Sequence, residues 1–114
     1  MRNKMITQKE LKELIHYDPE TGDMSWKKRD IEKASVIAAK QIGWYGIKLM
    51  ANLLPGIPDR MFIGNGKVVF IEYKNETGVL SPKQKSIHRL FAQYGHTVHV
   101  ARSVHETIKV LENA

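Results

Sequence analysis

The chain has 114 residues, of which 42% are hydrophobic and 26% charged, and its formal net charge is +6. This length suits one domain with its own core, and the lack of cysteine excludes disulfide bonds and thiolate metal sites. The positive excess is uneven: residues 1–30 carry 7 Lys and Arg against 6 Asp and Glu, whereas residues 31–114 carry 11 against 6. A polyanionic partner is therefore favoured for the second segment, although charge also serves solubility alone.

The hydropathy of the chain indicates no membrane association. The longest apolar run is far shorter than a membrane span, and the polar, charged N-terminus does not resemble a signal peptide. We therefore expect an intracellular, cytoplasmic protein.

Residues 1–29 predict a small N-terminal arm. Thr7 and Glu10 have the spacing of a capping box, and Leu11, Leu14 and Ile15 would form the apolar face of the short helix that follows. Residues 16–29 then predict a turn and a brief strand at 24–26.

Residues 30–114 predict an alternation of helices and strands. A helix is expected over residues 30–42, with Gly43 ending it. Capping boxes at Ser81 and Ser103 predict two later helices. Strands are expected at residues 45–50, 60–63, 68–74 and 97–101. The resulting order is helix, three strands, helix, strand, helix, which is an α/β fold.

Three charged residues flank a predicted hairpin. Asp59 follows Gly56-Ile57-Pro58 at the start of one strand, and Glu72 and Lys74 lie near the end of its partner. Side chains two residues apart on a strand share a face, roughly 6–7 Å apart. The three can therefore converge, giving two hard oxygen ligands for a divalent cation with an ammonium beside them. That combination suits metal-dependent phosphodiester hydrolysis.

The pattern resembles a known nuclease family. The chain is similar to the virus-type replication-repair nucleases (VRR-NUC) in the order of its motifs. These are a helical Glu32, Gly-x-Pro-Asp ending at Asp59, a hairpin, Glu-x-Lys at Glu72 and Lys74, and Gln84 on the next helix. This family is a branch of the PD-(D/E)xK superfamily, and the similarity covers about residues 30–111. It implies a restriction-endonuclease-like core, α-β-β-β-α-β, with a mixed sheet flanked by helices and a short N-terminal extension.

The resemblance also implies roles for these residues. Asp59 and Glu72 would bind Mg²⁺ or Mn²⁺, and Lys74 would orient the attacking water or stabilise the phosphate. Glu32 would be a metal or water-positioning residue, although an acid in a first helical turn is also favoured by the helix dipole. Gln84 would hold water or phosphate, although its capping box explains it equally well.

Four basic residues are candidates for phosphate contacts. Three of them lie on the helix after Ser81 and form a basic face: Lys83, Lys85 and Arg89. The fourth, Lys48, lies on the strand that precedes the loop to Asp59. A solvated surface is the alternative interpretation.

The activity implied is a metal-dependent, structure-specific DNA endonuclease acting on branched DNA, as Holliday-junction resolvases do. Symmetric cutting with one site per chain implies a homodimer. The alternatives are a flap or nicking nuclease of the same chemistry, and a silent DNA-binding subunit with the same fold. Because the VRR-NUC resemblance begins at about residue 30, we predict an arm at 1–29 and a nuclease domain at 30–114. Residues 14–27 resemble an N-terminal arm of some phage HNH endonucleases, which implies a mobile-element or phage origin and, for a phage protein, a location in the host cytoplasm.

Overall fold

A computed structural model describes residues 15–17 and 24–114. The elements, in chain order, are β1 (Ile15–Tyr17), β2 (Met24–Trp26), α1 (Lys28–Gln41), β3 (Tyr45–Lys48), β4 (Arg60–Gly64), β5 (Lys67–Tyr73), α2 (Pro82–Gln93), β6 (Val98–Ala101) and α3 (Val104–Glu112). From α1 onward this order confirms the α/β arrangement predicted from the sequence. Of the helix predicted after Thr7, only Ile15 is among the described residues, and there the prediction is wrong: Ile15 begins β1, where it pairs with Trp26. The rest of that predicted helix lies outside the described residues.

One mixed sheet organises the protein. Its strand order is β3–β4–β5–β6, with the first three strands antiparallel and β6 parallel to β5. β1 and β2 form a separate antiparallel pair, so the brief strand expected at 24–26 is present. Among the described helices, none is long and apolar enough to cross a membrane.

Helices cover both faces of the sheet because β5 is apolar on both sides. Ile71 and Tyr73 lie in the core cluster with Ile31 of α1 and Leu111 of α3. Phe70 points to the opposite face by strand alternation and meets Phe91 of α2 edge-on, with ring centroids 4.9 Å apart. The central strand therefore presents Glu72 on the face that α2 covers.

The hairpin turn sets the register that brings Asp59 to Glu72. Asn65 and Gly66 have φ values of 50° and 73°, the left-handed conformation that tight hairpin turns require. Gly64 pairs with Lys67, and Arg60 pairs with Ile71. One step beyond that last pair, Asp59 lies opposite Glu72.

The first helix begins earlier than predicted, at Lys28 rather than at residue 30. The backbone N–H groups of Asp30 and Ile31 both donate to the Lys27 carbonyl, and the Lys27 side chain makes no capping hydrogen bond to the described backbone. A helix start without a capping side chain leaves no signature in the sequence. The expected boundary between residues 29 and 30 therefore falls inside α1.

Candidate active site

Two carboxylates meet at the open end of the β4–β5 hairpin. Asp59 directly precedes β4, and its Oδ2 accepts a hydrogen bond of 2.8 Å from the backbone N–H of Tyr73. The Glu72 side chain is 0% exposed, and neither of its oxygens has a hydrogen-bond partner among the described residues. An ionised carboxylate buried without hydrogen-bond partners is costly, so ionisation of Glu72 requires a cation beside it.

The two carboxyl groups have different affinities for protons. Burial, together with the neighbouring Asp59, raises the pKa of Glu72 to about 8, while Lys28 and Lys74 oppose that shift. Burial also acts to raise the pKa of Asp59, but the neighbouring Glu72 carboxyl, the hydrogen bond from the Tyr73 backbone and the charge of Lys28 leave this pKa below its ordinary value. Near neutral pH the pair therefore tends to retain a proton, because ionisation of one carboxyl disfavours ionisation of the other.

An ammonium lies between the two carboxylates. Nζ of Lys28, the first residue of α1, is 3.2 Å from Oδ1 of Asp59 and 3.9 Å from Oε2 of Glu72. The sequence analysis missed Lys28 because it is one of three consecutive basic residues assigned to the arm. No local pattern identifies it, since its two partners lie 31 and 44 positions further along the chain.

His88 approaches Glu72 from the other side. Its Nε2 lies 3.8 Å from Oε1 of Glu72, and this nitrogen has no hydrogen-bond partner among the described residues. Burial, and then the charge of Lys74, lowers the pKa of His88, so its imidazole is neutral at pH 7. Its position four residues after Gln84, on the same helical face, was a signal that the sequence analysis left unused.

Lys74 joins the same group. Its backbone N–H donates to the carbonyl of Ala101 at 3.1 Å, which extends the pairing of β5 with β6 by one residue. Strand alternation then places its side chain on the face of Glu72. Its charge acts on both Glu72 and His88. Glu72 therefore neighbours both Asp59 and Lys74, in agreement with the hairpin prediction.

Glu32 belongs to a separate ion cluster. Its Oε1 accepts hydrogen bonds from Nε of Arg60 at 2.8 Å and from Nζ of Lys48 at 3.2 Å. Within residues 15–17 and 24–114, no group of three His, Asp or Glu side chains is arranged to hold a metal ion. Asp59 and Glu72 thus stand as a pair, and the metal role of Glu32 stays a prediction.

Gln84 fulfils its capping function. Its Oε1 accepts from the backbone N–H of Ser81 at 2.9 Å, and its own N–H donates to Oγ of Ser81 at 3.1 Å. The carboxamide oxygen is therefore engaged at the start of α2, and a role at the site stays a prediction.

The predicted phosphate-contacting residues lie on the surface. Lys83, Lys85 and Arg89 are exposed along α2. The side chain of Lys48 is 58% exposed while it pairs with Glu32. Their contact with DNA stays a prediction.

The donor set at this site fits a hard divalent cation. Carboxylate oxygens are the ligands that Mg²⁺ and Mn²⁺ prefer, and two of them come from Asp59 and Glu72. Nζ of Lys28, 3.2 Å from Asp59 and 3.9 Å from Glu72, lies where ionised carboxylates would attract positive charge.

Comparison with solved structures gives a specific match. A structure titled "VRR_NUC domain" superposes with a TM-score of 0.66 and 26% sequence identity, and the match covers 75% of this chain and 94% of that one. No family model and no curated protein matches the chain. The structural match agrees with the resemblance based on Asp59, Glu72 and Lys74, and it confirms the restriction-endonuclease-like fold.

Proposed function

Since the chain belongs to the VRR-NUC family and is a nuclease of the PD-(D/E)xK type, we propose that it hydrolyses DNA phosphodiesters with a divalent cation held by Asp59 and Glu72. The observation that carries this proposal is the fully buried Glu72, whose two oxygens lack partners among the described residues and lie beside a second carboxylate. With both carboxyl groups ionised, such a pair is costly to the fold unless bound positive charge compensates for it.

The side chains divide the chemical work. A bound Mg²⁺ or Mn²⁺ would supply the positive charge that stabilises the reacting phosphate and lowers the pKa of water. The backbone N–H of Tyr73 fixes the orientation of Asp59. Lys74 places an ammonium on the same face as Glu72, where it would stabilise negative charge that develops on the phosphate. Glu32 would hold the side chains of Arg60 and Lys48 in position through its hydrogen bonds to both.

The proposed substrate is branched DNA, cut symmetrically by a homodimer. The described residues contain one such carboxylate pair, and symmetric cleavage of two strands needs two sites related by a two-fold axis, which is the reason for proposing two subunits. Residues preceding α1 would then form an arm that assists assembly or grips DNA. A flap or nicking nuclease of the same chemistry is the second candidate.

A cleavage panel tests this proposal. Four-way junction, flap, nicked and linear duplex DNAs of matched sequence would be incubated with Mg²⁺, with Mn²⁺ and with chelator. We expect symmetric cuts in the junction, and no cuts with chelator. The matched control is Glu76→Gln, which neutralises an exposed carboxylate in the loop after Lys74 and should cut as wild type. Binding without cleavage under both metals would instead support the silent DNA-binding subunit.

A further inference from the structure

An exposed apolar loop leads directly to the carboxylate pair. Between β3 and β4, Met50 is 54% exposed, Leu53 79% and Leu54 37%. We call these three side chains the apolar tip. The loop segment 49–58 contains no charged residue. Three large apolar side chains close together on a surface mark an interaction site more often than isolated ones do.

Backbone hydrogen bonds fix the conformation of the loop, and in that conformation the apolar tip is exposed to solvent. At its base, the backbone N–H of Leu49 donates to the carbonyl of Asp59 at 3.0 Å. Within it, Leu53 N–H donates to the Met50 carbonyl and Ile57 N–H to the Leu54 carbonyl, both at 3.0 Å. Such bonds oppose the collapse of the tip onto the protein's own core.

One side of the loop is packed against α2. Gly56 has a φ of 88°, and a Cβ placed on it would lie 2.7 Å from the carbonyl oxygen of Lys83. Pro58 is fully buried. The tip is therefore positioned relative to both the first turn of α2 and Asp59.

The charges around the tip match a phosphate backbone. Lys48 lies at the β3 end of the loop, and Lys83 and Lys85 lie in the first turn of α2, against which the loop packs. Cations can bind phosphates, but exposed leucines gain nothing from a phosphate. Apolar side chains find a partner in nucleic acid only where base faces are unstacked, and proteins that insert Leu or Met between bases use this contact.

We propose that the apolar tip packs against unstacked bases at a DNA branch point, with Leu53 as its main contact. The inference rests on the proposed function and deepens it, because it assigns the preference for branched DNA to one loop. A stacked linear duplex would have to be unstacked at a cost of about a few kcal/mol, whereas a branch point exposes base faces already.

Binding in chelator tests this assignment without relying on cleavage. Wild type, Leu53→Ser, Leu53→Met and Tyr94→Ser would be titrated into a four-way junction with 2-aminopurine at the branch point, and into a linear duplex of the same sequence. Tyr94 is the matched control because it is also 79% exposed but lies at the far end of α2. Light scattering on each variant would monitor the oligomeric state.

We expect Leu53→Ser to lose roughly tenfold in junction affinity and less than about twofold in duplex affinity. Its 2-aminopurine fluorescence should also rise less on binding than with wild type. Leu53→Met and Tyr94→Ser should bind both DNAs as wild type. Equal losses on junction and duplex, or a loss that accompanies dissociation of the protein into monomers, would overturn the proposal. So would a wild-type protein that cuts DNA with metal but does not prefer junctions, and that result would leave the nuclease function intact.

Discussion

At the scale of single residues, the unusual feature is the raised pKa of the buried Glu72 carboxyl. Its carboxyl is fully buried beside Asp59, and its partners within the described part of the chain are long contacts to Lys28 and His88. Protein folding tolerates such a group when a ligand later compensates for it. We therefore expect the free energy of unfolding of the protein to depend on the ionisation of Glu72 and on whether a cation is bound beside it.

Replacing Glu72 by Gln should stabilise the metal-free protein relative to wild type, and this difference in the free energy of unfolding should grow as pH rises. The pKa of Glu72 is raised from 4.5 in the reference state to about 8 in the fold. The protonated Glu72 carboxyl therefore makes its full contribution to the free energy of unfolding below pH 4.5, and this contribution is lost as pH rises towards 8. Glu72→Gln keeps the neutral form, so its free energy of unfolding should exceed that of wild type by roughly 1–3 kcal/mol at pH 8 and by little at pH 4.5.

Urea unfolding in chelator at pH 4.5 and pH 8 measures this difference. Adding Mn²⁺ at pH 8 should stabilise wild type and leave Glu72→Gln nearly unchanged. A difference between the two proteins that is the same at both pH values would contradict the argument.

Replacing Lys28 by Met should tighten metal binding. The ammonium of Lys28 contacts the same two carboxyl groups that would hold a metal, so a divalent cation must displace it. Because the Lys28 side chain is 40% exposed, solvent screens this competition. We therefore expect the dissociation constant for Mn²⁺ to fall about fivefold, roughly 1 kcal/mol.

Calorimetric titration of Mn²⁺ at pH 8.5, above the pKa of about 8 for Glu72, makes the measurement. Lys27→Met is the matched control, because Lys27 is an exposed neighbour in sequence. Weaker binding by Lys28→Met than by wild type would show that Lys28 supports the metal instead of competing with it.

At the scale of elements, local signals in the sequence predict the hairpin and the helix starts. Gly64-Asn65-Gly66 specifies a tight turn, and the capping box at Ser81 and Gln84 forms as expected. The start of α1 was wrong by two residues because Lys27 offers no capping signal. Lys28 and His88 were missed for a different reason: their contacts with Glu72 come from packing between distant elements, which no short motif encodes.

The loop before Asp59 should be sensitive to a methyl group at Gly56. Gly56 and Gly95 share a φ of 88°, so Ala at either position incurs the same backbone strain. Only at Gly56 does the added Cβ meet a backbone carbonyl, that of Lys83, at 2.7 Å. We expect Gly56→Ala to be less stable than Gly95→Ala by roughly 1–3 kcal/mol.

The same substitution should also lower the cleavage rate, because moving the loop moves Asp59. Thermal unfolding and cleavage assays on both variants measure the two effects. Equal stability and equal activity of Gly56→Ala and Gly95→Ala would contradict the packing of the loop against α2.

At the scale of the whole molecule, the proposed symmetric cleavage of two strands depends on dimerisation, because the candidate site lies at one end of the sheet of each subunit. Light scattering at micromolar concentration should show a dimer for the full chain. A chain starting at Lys27 keeps all of α1 with Lys28, and comparing it with the full chain tests whether the preceding residues contribute to the dimer. A full-length monomer that cuts both strands of a junction would contradict symmetric cleavage by two subunits.

The central claim is that Asp59 and Glu72 form the metal site at which DNA is cut. It is tested most directly by comparing junction cleavage by wild type, Asp59→Asn and Glu72→Gln in saturating Mn²⁺ under single-turnover conditions. Both substitutions preserve side-chain size, and binding of the junction in chelator checks that each protein is folded. The account predicts that each variant binds the junction but cuts it at least about a hundredfold more slowly than wild type. Cleavage by either variant at the wild-type rate would contradict it.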